Sequence, residues 1–97
     1  MAEHWLIQQV WEKGTIVPGN DPNIWRQDAC GAWIMRSAYS NRGSQYGWEI
    51  DHIQSVDHGG PDALSNLRPL QWKNNASKGN GRLGCAVTAR GENNVPV

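Results

Sequence analysis

The sequence predicts a small α+β fold in which a strand–loop–strand–helix unit follows an N-terminal helix and an antiparallel β-hairpin. Three observations carry that prediction. Within AEHWLIQQVWEK, residues 2–13, Leu6 and Val10 recur one helical turn apart with tryptophans beside them. Two short runs rich in aromatic and β-branched residues, 32–35 and 46–53, flank the polar loop SNRGSQ. Beyond residues 66–70 the pattern changes from a period of two to steps of three and four, and it stops at Gly79.

Taken in order, the first helix packs through Leu6, Val10 and the tryptophans and ends at Gly14, with His4 on its first turn. Residues 15–23, TIVPGNDPN, are turn chemistry: Pro18-Gly19 and Asp21-Pro22 break regular structure, and Asp21 can cap the turn over 22–26. Residues 32–35 form a strand that is expected to pair with the strand after the SNRGSQ loop. That second strand, 46–53, alternates apolar and polar residues and closes on Asp51 and His52. A loop with the breaker Gly59-Gly60-Pro61-Asp62 follows, and then a short strand over 66–70, which Pro69 makes an edge. A helix over 70–78 is read from Leu70, Asn74, Ser77 and Lys78, with Gly79 at its C-cap. In the remaining NGRLGCAVTARGENNVPV, a short strand is expected within 83–88 and a loose tail over the last seven or eight residues. The whole chain, 1–97, reads as one domain. Helix and connector occupy 1–27, the functional core 28–80 and a C-terminal extension with a flexible end 81–97.

Composition narrows the function classes. The net charge is zero, against a strongly basic nucleic-acid binder, but its distribution is uneven. Arg68, Lys73, Lys78, Arg82 and Arg90 fall within 66–90 with no acidic residue among them, a face suited to a polyanion. Six tryptophans and no phenylalanine make the indoles the chief core material. Cys30 and Cys85 form no C-x-x-C; free thiols in a reducing compartment are the simpler expectation, and a single disulfide is the alternative. With no membrane span and no signal peptide, the expected location is the cytoplasm.

The chemistry concentrates between Tyr46 and Gly79. A hard divalent cation needs only one or two protein oxygens beside water and phosphate, and Asp51 and Asn75 offer those two. His52 beside them is a general base with an unperturbed pKa of about 6.5, and Asn66 is a group that can hold the imidazole or its loop. Glu49, two residues before Asp51 on the same strand face, is a supporting carboxylate or the partner of a hairpin arginine. Among Arg26, Arg36 and Arg42, Arg36 is the best candidate to reach a phosphate. His58 reads as a loop residue.

At these residues the chain resembles the HNH endonuclease family of the ββα-metal superfamily. Its pattern of D-H, a double glycine, N-L and a final H or N followed by x-x-K is met by Asp51-His52, Gly59-Gly60, Asn66-Leu67 and Asn75-Ala76-Ser77-Lys78. The phrases DACGAWI, YGWEIDHI and PLQWKNN resemble a small bacterial and phage subgroup of these domains. The resemblance implies hydrolysis of DNA with His52 as general base and Asn66 orienting the base or its loop. It implies a divalent cation, Mg2+ foremost and Mn2+ as an alternative, on Asp51 and Asn75. Arg68, Lys73, Lys78 and Arg82 become candidate DNA contacts, and specificity falls to a homodimer or a larger complex. Many members add two zinc-binding cysteine pairs, one of which would fall at Gln71 and Asn74. Neither is cysteine, so no structural zinc is expected, and the tryptophan cluster is the candidate replacement. A nucleic-acid-binding module that does not cleave is the competing reading, and a purely structural zinc domain is disfavoured.

Overall fold

Helix α1, His4–Trp11, places Val10 and Trp11 on one side, and both are completely buried. The computed structural model describes residues 3–97, so the first residue of the expected helix, Ala2, lies outside the described residues. Strands β1 (Trp25–Gln27) and β2 (Trp33–Met35) pair antiparallel, as do β3 (Trp48–His52) with β4 (Leu67–Gln71) and β5 (Val87–Arg90) with β6 (Asn93–Pro96). Helix α2, Trp72–Lys78, follows β4 directly. The architecture is α+β, and β3, β4 and α2 form the strand–loop–strand–helix unit.

The core lies between α1 and the β3–β4 pair, where Val10, Trp11, Ile34, Trp48 and Leu67 cluster. The Trp11 and Trp48 rings sit 5.4 Å apart, and Tyr39 meets Trp48 edge-on at 4.9 Å. By area, each buried indole contributes at most about 4–6 kcal/mol before the cost of ordering it. The other four tryptophans contribute less: Trp25, Trp33 and Trp72 are half-buried, and Trp5, expected on the packing face, is 60% exposed. Leu6 and Ile7 take that face instead.

A hairpin does precede the motif, but its strands are β1 and β2, so the expected pairing of residues 32–35 with the strand after SNRGSQ is not formed. The β1–β2 register, Arg26 opposite Ile34, leaves only one bond toward the later strand, from Met35 N to Tyr46 O. Pairing with β1 is favoured because Arg26 clamps the connector from within. Its guanidinium donates to the carbonyls of Pro22, Glu12 and Gly14 and stacks on Trp11. Asp21 caps the turn before β1 through Asn23 N. The α2 helix starts later than the periodicity suggests, because Leu70 and Gln71 remain in β4 and the Gln71 side chain caps Lys73 N and Asn74 N.

The C-terminal segment, expected to end as a loose tail, is a docked hairpin. Gly91, at φ +61°, turns β5 into β6, and Asn94 ties the hairpin to β2 by accepting from Trp33 N and donating to Trp33 O. The thiols expected to be free are joined: Cys30 and Cys85 form a disulfide. Their Cα atoms are 5.7 Å apart across 55 residues, so the bond removes loop-closure entropy from the unfolded chain, worth roughly 4 kcal/mol in the chain-entropy model. The expectation of a reducing compartment, which was drawn from free thiols, loses its ground. Among the described residues, no helix is long and apolar enough to cross a membrane.

Gln71 and Asn74, the positions where a zinc-binding pair would stand, are fully buried around the Asp28 carboxylate. One Asp28 oxygen accepts from Cys30 N and Ala32 N, both at 2.9 Å. The other accepts from Gln71 N at 2.8 Å and Asn74 Nδ2 at 3.0 Å. Asn74 Oδ1 in turn accepts from Ala86 N and Val87 N, which brings β5 to the same point. The junction that the tryptophans were expected to hold is thus held by a carboxylate saturated with N–H donors, with the disulfide beside it.

Candidate active site

The β3–β4 register sets Asp51 opposite Arg68 and His52 opposite Leu67, and α2 crosses the pair so that Asn75 and Lys78 face β3. Asp51, His52, Asn75 and Lys78 line one cleft of about 230 Å3, with Ser55, Val56 and Asp57 on its loop side. A second, wider groove on the other side of His52 and Asn75 is walled by Glu49, Tyr39, Leu6 and Asp62. His52 and Asn75 are the side chains that both recesses share with Ile50.

Asp51 is 4% exposed and carries two cations. Arg68 Nε lies 2.8 Å from Oδ2 and Lys78 Nζ 3.2 Å from Oδ1. Lys78 also donates to the His52 carbonyl at 3.0 Å, so one ammonium at the end of α2 grips both motif residues. The trio carries a net charge of +1 at the cleft wall, which suits an incoming phosphate.

His52 Nε2 lies 2.6 Å from Asp62 Oδ1. A carboxylate only accepts, so Nε2 carries the proton and Nδ1 is left with the lone pair. Asn66 does not touch the imidazole. It closes the loop that presents Asp62: its Nδ2 donates to Gln54 O and Pro61 O, and its Oδ1 accepts from Gln54 N. The double glycine serves the same loop for two separate reasons. Gly59 sits at φ +85°, a conformation that L side chains rarely adopt, while a Cβ on Gly60 would come within 1.8 Å of Gln54 O. His58 belongs to this loop through Ser55 Oγ, 2.9 Å from its Nδ1.

Glu49 pairs with Arg42, a bidentate contact at 2.7 and 2.9 Å, and accepts from Asn75 Nδ2 at 2.8 Å. Arg42 above all holds its carboxyl below the usual range; burial opposes this and Asn75 adds to it. Donation through Nδ2 directs the Asn75 amide and leaves its Oδ1 as a ligand oxygen. Burial, with help from Glu49, raises the Tyr39 phenol.

The remaining predicted residues are dispersed. Lys73 and Arg82 are exposed, Lys73 over the Trp72 ring and Arg82 beside the 53–58 loop. Arg36 lines neither recess and donates to Gln8 Oε1 at 2.8 Å. Asp62 was passed over as part of a chain breaker. Its Pro-Asp step within a loop bounded by a histidine and an asparagine of the motif is the one signal that marks it.

No cluster of three His, Cys, Asp or Glu side chains exists among the described residues, so a cation here would rest on two protein oxygens, water and phosphate. Asp51 and Asn75 fit that requirement. One is an anionic oxygen fixed from behind and the other an amide oxygen fixed by Glu49, the hard donors that magnesium or manganese takes.

Residues 38–81 match a family model described as HNH endonuclease. Neither a search of curated proteins nor one of solved structures finds a match.

Proposed function

We propose, from the match of residues 38–81 to a family model described as HNH endonuclease and the nuclease-type activity on nucleic acids to which it points, that the protein hydrolyses phosphodiester bonds in DNA. His52 Nδ1 takes the proton of the attacking water, with Asp62 holding the ring through Nε2–H. Asp51 and Asn75 would hold a divalent cation, magnesium foremost, which supplies Lewis-acid stabilisation of the phosphate and the leaving oxygen. Arg68 and Lys78 fix Asp51, while the exposed Lys73 and Arg82 contact the DNA backbone. Asn66 acts at one remove by shaping the loop. Residues 28–80 form the nuclease core, flanked by 1–27 and 81–97, and cutting both strands takes either a second copy of the chain or two successive nicks.

The observation that carries this reading is the meeting of Asp51, His52, Asn75 and Lys78 in one cleft. Incubation of the oxidised protein with supercoiled plasmid and Mg2+ or Mn2+ should produce nicked and then linear DNA, and EDTA should stop it. One feature favours a second reading: both Asp51 oxygens already face cations, an arrangement that also suits a phosphate-binding module without cleavage. DNA binding that persists with no metal-dependent nicking would decide for that module.

A further inference from the structure

A separate recess lies away from the cleft, where the β1–β2 hairpin meets the C-terminal hairpin. Trp25, Trp33 and Tyr46 form its walls, and Asn20 and Glu92 its rim, around a cavity of about 110 Å3. The rings stand almost at right angles: Trp25 to Trp33 at 78° with centroids 6.2 Å apart, and Trp25 to Tyr46 at 85° with centroids 4.8 Å apart. Two walls are pinned by the β5–β6 turn, since Trp33 Nε1 donates to Gly91 O and Tyr46 OH to Glu92 O, both at 2.7 Å. Each ring is half-buried.

We propose that this recess binds a small organic cation, an alkylated ammonium group. Aromatic faces carry the negative part of the ring quadrupole, and three rings, two of them held nearly perpendicular to Trp25, line this one recess. Glu92 adds a formal negative charge at the rim, and the lining contains no cationic residue. The cavity holds a group of a few heavy atoms, the size of a methylated ammonium head. A nucleobase is poorly served, because perpendicular rings leave no flat slot for stacking and the Glu92 carboxylate repels the attached phosphate. The same head group occurs on free cholines and on methylated lysine side chains, and the recess recognises what they share.

The test is a titration of the oxidised full chain with choline, with Nα-acetyl-trimethyllysine amide and with 3,3-dimethyl-1-butanol, the neutral isostere of choline, all at constant ionic strength. The indole N–H resonances of Trp25 and Trp33 report binding. Saturable shifts with a cation and none with the isostere are expected, and the tighter of the two cations identifies the source. Glu92→Gln, an exposed turn position, should weaken the cations roughly two- to fivefold without moving the melting temperature. Trp25→Leu should weaken them roughly tenfold or more. Equal response to cation and isostere, no response to either cation, or affinity unchanged by Glu92→Gln would overturn the proposal. A nucleoside monophosphate shifting the same indoles more strongly than choline would overturn it too.

Discussion

Two aspartates, Asp28 and Asp51, are buried to the same degree, each 4% exposed, yet they are satisfied in opposite ways. Asp28 accepts four bonds from neutral N–H groups, three of them backbone, that come from the residues just before β2 and from the β4–α2 junction. Asp51 faces two cationic side chains at the wall of a cleft. Backbone donors are set by the fold and cannot leave, so Asp28 is committed to structure. Side-chain cations are mobile in principle and balance charge, so Asp51 keeps lone pairs that an entering cation can use. Equal burial therefore says little about role, and the donor type says more.

The sharpest way to break this contrast is Asp28→Ala. It orphans several buried donors at about 1–3 kcal/mol each, and a total loss of roughly 3–5 kcal/mol is expected. In a domain of this size that lowers the melting temperature by about 15–30 °C. Thermal denaturation measures it, and a drop of only a few degrees would remove Asp28 from its structural role.

On the other side, His52→Ala should reduce plasmid nicking on the order of a hundredfold or more while DNA binding and melting temperature hold. Asp51→Asn should cost activity by a comparable factor and weaken manganese binding by calorimetry, with a smaller stability loss than Asp28→Ala. If Asp51→Asn unfolds the protein as readily as Asp28→Ala does, the two aspartates are alike and the contrast fails. Asp62→Ala should slow nicking roughly tenfold, the scale of a lost outer hydrogen-bond partner, and leave metal affinity unchanged.

The smallest effect concerns Glu49. Because its folded pKa lies below the ordinary 4.5, its contribution is present above that pH and fades as pH falls through the folded value. The difference in melting temperature between wild type and Glu49→Gln should therefore be visible at pH 6 and shrink below pH 4.5. A difference independent of pH would mean that the Arg42 pair contributes nothing.

The α+β class and the local strand–loop–strand–helix unit were more legible in the sequence than the long-range ties that hold them together. That Asp51, His52 and Asn75 meet in one cleft was readable because a strand and a helix fix their spacing within one short stretch. The knot at Asp28 was not, since its link to Asn74 spans 46 residues and no local periodicity records it. The same holds for the disulfide across 55 residues. The C-terminal hairpin did leave a signal, the Gly91-Glu92 step between AVTAR and NNVPV, which is a two-residue turn in prospect. The misassigned partner of β2 reflects a real ambiguity, because a polar loop joins 32–35 to the later strand while Arg26 secures the earlier one from inside the core.

Asn74 and Asn75 are consecutive on α2 and point to opposite duties, the first into the knot and the second toward Glu49 and the cleft. Neighbouring residues on a helix are about 100° apart, so one inserted or deleted residue between Gln71 and Asn74 would turn both amides off target at once. Substitutions at the exposed Lys73, Ala76 and Ser77 leave that angle untouched. Among relatives of this chain, the segment from Gln71 to Lys78 should therefore drift in composition but stay constant in length, while gaps collect in the 53–63 loop.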